Sequence, residues 1–195
     1  DSLLNRVAEL NQTVHVHPDS IVKGMDFRTD VTSGAYFERL NLGLTGEGVT
    51  VAVLDSGVSK QHDDLPENAV VYFKDFVNGK TQRYDDLGHG THVAGIIAGR
   101  GKNSSDITGV APGAKLLVLK VLDSKGTGSV SNVIAALDWL RRYGAYFNVK
   151  VVNLSFGAKP TEQPEHDPLA LAAKALVDRG ILVVAAAGNN GQKDG

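Results

Sequence analysis

The chain has 195 residues, 20 lysines and arginines, and 22 aspartates and glutamates, for a formal net charge of −2. This balance argues against a nucleic-acid-binding protein, and no apolar run reaches the length of about 18 residues that a membrane-spanning helix needs. The absence of cysteine excludes disulfides, thiolate metal sites and a cysteine nucleophile. The 22 glycines exceed the usual level of about 7 %, which predicts tight loops and close backbone approaches.

The first 30 residues differ in character from the rest of the chain. Residues 3–11 have the spacing of a helix, and residues 13–17 alternate like an edge strand that ends at Pro18. Residues 24–33 are polar and indicate a loop. We therefore expect a boundary near residue 30, between a segment 1–30 and a domain 31–195.

Four short apolar runs predict strands that are covered on both faces. They comprise residues 49–55, 115–122, 149–155 and 181–187. Each is rich in β-branched residues and is followed by a polar residue or a glycine.

Helical patterns lie between these strands. Residues 90–98 are small and apolar all round, which predicts a buried helix. A second helix covers 130–140 with Gly144 as its cap, and a third begins at Asp167 and ends at Gly180. This alternation predicts an α/β fold with a parallel sheet, whose ligands meet the carboxyl ends of the strands.

Two segments at that edge suggest a catalytic pair. His89 lies between Gly88 and Gly90 at the start of a helix, where an imidazole is a candidate general base; alone, it would more often be a capping or core histidine. Asp55 ends a buried strand and must be paired or hydrogen-bonded; alone, it could equally close a loop. A histidine that acts as a general base needs a carboxylate to hold its tautomer. A catalytic pair would therefore account for both Asp55 and His89.

A third segment follows the last predicted strand. The side-chain amide of Asn189 could donate to a developing oxyanion without adding charge. Taken alone, residues 189–191 are more typical of an ordinary turn.

Together, these segments resemble the subtilisin-like serine proteases, the subtilases. The motifs in family order are DSGV at 55–58, GHGTHVAG at 88–95, GVAPGAKLLVLKVL at 109–122, NLSFG at 153–157 and VVAAAGN at 183–189. The resemblance covers residues 37–191. It implies a three-layer sandwich with a mostly parallel central sheet and helices on both faces. It also implies a secreted serine endopeptidase with an Asp-His-Ser triad that requires no cofactor.

The resemblance also implies roles for individual residues. Asp55 would be the triad aspartate, His89 the general base and Asn189 the oxyanion donor. A polypeptide substrate would bind as an added strand between two segments, which are Gly126, Thr127 and Gly128 on one side and Ser155, Phe156 and Gly157 on the other.

The family's nucleophile segment, G-T-S-x-A, does not occur in these residues. None of the 11 serines has that context, and there is no G-x-S-x-G motif. We therefore expect the chain to be an N-terminal fragment of a protease and inactive alone. Residues 1–30 resemble the end of an inhibitory propeptide with its cleavage site in 24–33, which would make the propeptide a partner; an ordinary extension is the alternative.

A structural calcium ion is a weaker implication. Asp64 matches a calcium-ligand aspartate of the family, but the loop 100–107, which would supply further oxygens, is shortened. A hard cation prefers six or more oxygen ligands, and the acidic residues here could equally form a solvated loop.

Two other functions remain open at this point. A metal-dependent hydrolase could use Asp85, Asp86, His89 and His92, although histidines at i and i+3 suit zinc less well than i and i+4. A non-catalytic α/β binding module is disfavoured, because Asp55 stands where such a module would bind phosphate.

Overall fold

The computed structural model describes residues 31–102, 107–157, 163 and 165–187. The strands are β1 Thr50–Asp55, β2 Val70–Asp75, β3 Lys115–Lys120, β4 Val149–Leu154 and β5 Leu182–Ala185. The α-helices are α1 Ala35–Leu42, α2 His89–Ala98, α3 Val130–Tyr143 and α4 Pro168–Val177, with short 3₁₀ helices at Glu67–Ala69 and Gly144–Phe147. The strands form one parallel sheet in the order β2-β3-β1-β4-β5.

The central strand β1 divides the core into two layers. Ala52 and Leu54 belong to the apolar cluster that contains residues of α3 and α4. Val51 and Val53 belong to the cluster on the opposite face, which contains residues of α2. Successive side chains of a strand point to opposite faces, so a wholly apolar strand needs cover on both. This arrangement confirms the predicted α/β sandwich with helices on both faces of a parallel sheet.

Two elements were not predicted. The edge strand β2 has the sequence VVYFKD and is only partly buried, so it lacks the continuous apolar pattern that marks the four predicted strands. Helix α1 has no buried residue. The guanidinium of its Arg39 holds it to the body by donating to the carbonyl of Val110 and the hydroxyl of Thr108. Contacts with distant parts of the chain hold each of these elements in place. The sequence of each element therefore carries only a weak apolar signal.

Helix α2 differs from the predicted buried helix. Only Gly90, Ala94 and Ala98 are buried, and His92 is exposed. The three buried residues are spaced by four and form one stripe, so the helix lies against the sheet with that stripe alone. The small side chains on this stripe allow α2 to pack close to the sheet. The other apolar residues of the helix are only partly buried.

The other helix ends agree in part with the pattern. Asp167 caps α4 by accepting hydrogen bonds from Leu169 N and Ala170 N, and Gly180 has a φ of 79°, so both predictions are confirmed. Gly144 caps α3 as predicted, with its N–H donating to the Leu140 carbonyl, but its φ is −57° and the chain continues as a 3₁₀ helix. Asn148, with a φ of 52°, makes the left-handed turn instead.

Several predicted features lie outside the described residues. These are the helix 3–11, the strand 13–17, the propeptide segment 1–30 and Asn189. In the part of the chain that the structure describes, no helix is both long and apolar enough to cross a membrane.

Candidate active site

Asp55 and His89 meet at the carboxyl edge of the sheet. Asp55 is the last residue of β1 and is fully buried, whereas His89 is the first residue of α2 and its side chain is 46 % exposed. His89 Nδ1 lies 2.8 Å from Asp55 Oδ1. An ionised carboxylate can only accept, so Nδ1 carries the proton of a neutral imidazole and Nε2 keeps a free lone pair. This arrangement gives a half-exposed base whose tautomer is fixed from the buried side.

Backbone groups fix the carboxylate of Asp55. Ser56 N donates to the same Oδ1 at 2.7 Å, so this oxygen accepts from both the next residue and the imidazole. The carbonyl of Asp55 accepts from Val121 N at 2.9 Å and from Leu122 N at 3.2 Å, which anchors the end of β1 to the segment after β3. Asp55 Oδ2 has no hydrogen-bond partner among the described residues. The rotation of the carboxylate is thus set through one oxygen.

Asp85 fixes the start of the helix that carries His89. Its carboxylate accepts from Gly88 N at 2.8 Å, from Thr91 N at 2.8 Å and from the Thr91 hydroxyl at 2.6 Å. The first N–H groups of a helix have no partner within the helix, so an acceptor placed there defines where the helix begins. Asp85 therefore sets the position of the first turn of α2.

Ser56 joins this helix start to the Asp55 loop. Its hydroxyl donates to Asp85 Oδ1 at 2.9 Å and accepts from Gly90 N at 2.9 Å. A fully buried hydroxyl used in both directions ties the two segments at one point. The distance between Asp55 and His89 is consequently set by a network of hydrogen bonds.

Hydrogen bonds also fix the conformation of the loop that follows β3. Asp123 accepts from Lys125 N at 2.8 Å and Thr127 N at 2.9 Å, and Asp123 N donates to the Thr127 carbonyl at 2.8 Å. Hydrogen bonds from the Thr127 and Lys125 backbone hold the pKa of the Asp123 carboxyl below its usual value. Both backbone groups of Thr127 thus face into the loop. The N–H and carbonyl of Gly128 make no hydrogen bond within the described part of the chain, so they remain available to a ligand.

The two predicted peptide-binding segments line one cavity of about 200 Å³. Gly126, Thr127 and Gly128 form one side and Phe156 and Gly157 the other, with apolar cover from Leu122, Val130, Val133 and Leu169. Ser155 is not among the lining residues, and its hydroxyl accepts a hydrogen bond from Asn153 Nδ2 at 2.7 Å. The geometry therefore groups five of the six predicted residues.

The four residues of the alternative metal site are engaged separately. Asp85 binds the start of α2, Asp86 lies 2.6 Å from Lys120 Nζ, and His89 faces Asp55, whereas His92 is exposed. Among the described residues, no three His, Asp or Glu side chains are grouped as metal ligands. Nothing in this geometry favours the metal-dependent hydrolase.

Asp64 closes a loop of the backbone. Its Oδ1 accepts from Lys102 N at 2.7 Å, and its carbonyl accepts from Arg100 N at 2.9 Å. A calcium ion would need several more oxygens around this carboxylate, and the described residues do not assemble them. Residues 103–106 of the loop that would supply further ligands lie outside the described residues.

Lys120 and Ser56 are the parts of the site that sequence reasoning missed, and Asp85 was considered only as a possible metal ligand. The signal for Lys120 was a lysine at the end of an apolar strand, since a buried cation must find partners. Ser56 was visible only as the neighbour of Asp55, and the hydrogen bonds between Ser56, Asp85 and the start of α2 depend on how the two loops meet.

Known proteins share this arrangement of elements. The model of the "Subtilase family" matches residues 46–195. The chain belongs to the subtilase family. The serine protease AprX of Bacillus subtilis (strain 168) is 36 % identical over 197 residues, covering 97 % of this chain and 44 % of that protein. Subtilisin Savinase of Lederbergia lenta is 44 % identical over 151 residues, covering 77 % of this chain and 51 % of that protein.

A solved structure agrees with this assignment. The crystal structure of a cold-adapted subtilisin-like serine proteinase has a TM-score of 0.61 and 33 % sequence identity, covering 75 % of this chain and 48 % of its own. The chain therefore spans about half the length of the relatives that it matches. The part that matches the family model contains Asp55, His89 and the predicted peptide-binding segments.

Protonation of Asp85 should contribute to the loss of folding stability of this subtilase at acidic pH. Partial burial works to raise the pKa of the Asp85 carboxyl, but hydrogen bonds from Thr91, Gly88 and Ser56 outweigh it and hold the pKa below its usual value. A carboxyl whose pKa is lowered in the folded state adds stability above its unfolded pKa of about 4, and this stability is lost as the pH falls through the folded value.

Asp85→Asn should therefore lower the free energy of unfolding by about 1–3 kcal/mol at pH 7, because a charged acceptor is lost. The difference in the free energy of unfolding between Asp85→Asn and the parent should be smaller at pH 3. Denaturant unfolding at both pH values measures this difference, with both proteins carrying His89→Ala to limit self-digestion. Asp178→Asn is the control, since its ion pair with Lys174 is exposed and should contribute no more than about 0.5 kcal/mol. An equal loss at both pH values would contradict the role of the Asp85 charge.

Proposed function

We propose that this chain supplies the aspartate and histidine of an Asp-His-Ser triad in a serine endopeptidase. The observation that carries the proposal is the 2.8 Å contact between a buried carboxylate and a half-exposed imidazole at the carboxyl edge of the sheet. Membership of the subtilase family supports the same reaction. The pair has the two properties that a general base needs, a fixed tautomer and an open nitrogen.

In the proposed reaction, His89 Nε2 removes the proton of a serine hydroxyl as the oxygen attacks the peptide carbonyl. Asp55 keeps Nδ1–H in place and stabilises the imidazolium that forms. The same Nε2–H then protonates the leaving amine, which breaks the peptide bond and leaves an acyl-enzyme that water hydrolyses by the same steps in reverse order.

The nucleophile of this proposal lies in a part of the protein beyond these 195 residues. Ser56 is the serine nearest to the pair along the chain, but it is fully buried, and Asp85 and Gly90 N already use its hydroxyl. The 195 residues alone are therefore expected to have no proteolytic activity.

Asn189 is proposed as the donor to the oxyanion. It follows β5, which pairs with β4, and Ala186 N still donates to the Leu154 carbonyl at 3.0 Å. Asn189 itself lies outside the described residues, four positions after the end of β5 in the sequence. A neutral amide suits this role because it donates without competing for the charge of His89.

The proposed substrate is an extended polypeptide. Its backbone pairs with Gly128 on one side and with the segment Ser155–Gly157 on the other, and one of its side chains enters the 200 Å³ cavity. Five apolar side chains line that cavity together with Thr127, Ser129 and three glycines, which favours a mainly apolar substrate side chain. The proposed reaction uses only side chains and backbone amides, so no cofactor is required. An extracellular location and inhibition by the chain's own residues 1–30 complete the proposal.

Inhibitor selectivity in the full-length protein tests the reaction class. A serine-directed phosphonate should abolish peptide hydrolysis and label the protein at one site. Loss of activity with a chelator alone, unaffected by added calcium, would contradict the proposal and return the metal-dependent hydrolase to consideration. The 195-residue chain serves as the control and should be neither active nor labelled.

A further inference from the structure

Lys120 is a buried cation that the proposed reaction does not use. It is the last residue of β3, it pairs in register with Asp55 of β1, and its side chain is fully buried. Burying an ammonium group is costly unless the group is both paired with a charge and fully hydrogen-bonded.

The surroundings of Lys120 satisfy all of its donors. Nζ lies 2.6 Å from the Ser56 carbonyl, 2.6 Å from Asp86 Oδ1 and 2.7 Å from the Leu122 carbonyl. An ammonium has three N–H groups, and here each has an acceptor of its own. The ring centre of Tyr84 lies 5.0 Å from the same atom, on a further side.

Each acceptor belongs to a different part of the site. Ser56 follows Asp55 and also accepts a hydrogen bond from the helix start at Gly90. Asp86 lies in the loop that leads to His89. Leu122 begins the peptide-binding loop and lines its cavity. One ammonium therefore connects the carboxylate segment, the histidine segment and the substrate segment.

We propose that Lys120 is a positioning residue that holds these three segments in one relative position, and so sets the alignment of Asp55 with His89. The inference rests on the proposed proteolytic function. A buried ion pair is often no more stabilising than well-packed apolar side chains, so stability alone does not account for a lysine here. The contacts with three separate segments do account for it.

The test measures kcat per active site of the full-length protein, with sites counted by reaction with the phosphonate. Lys120→Met keeps an unbranched side chain that ends one atom short of Nζ and removes the charge and donors, whereas Lys120→Arg keeps the charge and donors but is larger. Lys115→Met is the matched control: Lys115 begins the same strand, at the opposite end from the site, and its Nζ donates to the Asn68 carbonyl at 2.9 Å.

We expect Lys120→Met to lower kcat per titrated site by about 10–100-fold, since a displacement of about 1 Å between reacting groups can cost 100-fold. Lys120→Arg should retain more activity than Lys120→Met, and Lys115→Met should match the parent. If Lys120 acted only by filling space, Lys120→Met should retain more activity than Lys120→Arg, because methionine is closer to lysine in size.

Three results would overturn the inference. One is Lys120→Met with a kcat per site within about twofold of the parent. Another is Lys120→Arg less active than Lys120→Met. If Lys120→Met yields no titratable enzyme, Lys120→Gln decides: a loss of about tenfold per site is expected, and parental kcat overturns the inference. A parent protein that the phosphonate does not label would instead refute the proposed function, and the inference with it.

Discussion

Replacing His89 with alanine in the full-length protein is expected to lower kcat by about 10²–10⁴-fold, the usual contribution of a general base. Among the described residues, the imidazole is the one exposed side chain in contact with the buried Asp55 carboxylate, so no described neighbour can replace it. KM should change little, since the peptide-binding segments at 126–128 and 155–157 lie on other parts of the chain. Steady-state kinetics with a peptide substrate measures both parameters.

His92→Ala is the matched control for this prediction. His92 lies one turn further along the same helix and is exposed, away from Asp55. Its removal should leave kcat within about twofold of the parent. If His92→Ala were as damaging as His89→Ala, the general base would have to be reassigned and a role for both histidines would have to be explained.

The sequence could predict β1 and β3 because both strands are covered on both faces. The predicted cover is wrong for β5, an edge strand whose Leu182 is 62 % exposed. The burial of Val53 and Val118 can be predicted from the local sequence alone, since a continuous apolar run implies that both faces of the strand are covered. Edge elements follow another rule. Strand β2 and helix α1 are stabilised by partners far along the chain, so their own sequences carry a weak signal.

The candidate pair could also be predicted, but the network around it could not. Asp55 and His89 stand out because a carboxylate and an imidazole at neighbouring strand and helix ends have few other uses. Ser56, Asp85 and Lys120 are polar residues of ordinary type. Their importance depends on three loops meeting within hydrogen-bond distance, which no local pattern specifies.

The glycines around His89 show how the same residue type can have different physical roles. The high glycine content of the sequence predicts close backbone approaches in general. Gly88 has a φ of 94°, so its backbone conformation calls for glycine, although a Cβ there would meet nothing. Gly90 has helical backbone angles, but a Cβ would lie 2.2 Å from the Gly57 carbonyl oxygen. The second glycine is therefore required by packing alone.

Gly90→Ala should consequently be severely damaging although it adds only one methyl group. The added methyl would also lie 3.0 Å from Gly57 N and 3.2 Å from Asp55 Cβ. The closest of these neighbours is backbone, so no side-chain rotation relieves the clash and helix α2 must move away from β1. A shift of about 1 Å would separate His89 from Asp55 and lower kcat by about 100-fold. Overpacking should also cost about 1–3 kcal/mol of stability.

Gly95→Ala provides the control within the same helix. A Cβ at this position meets nothing within 4 Å, so the substitution adds the same methyl group without a clash. Alanine is the better helix former, and the free energy of unfolding should rise by about 0.5–1 kcal/mol with kcat unchanged. Thermal unfolding and kcat per titrated site, measured on both variants, separate the two effects. Parental kcat in Gly90→Ala would mean that the contact between α2 and the Asp55 loop does not set the geometry of the pair, and the positioning network that includes Ser56 and Lys120 would lose its physical basis.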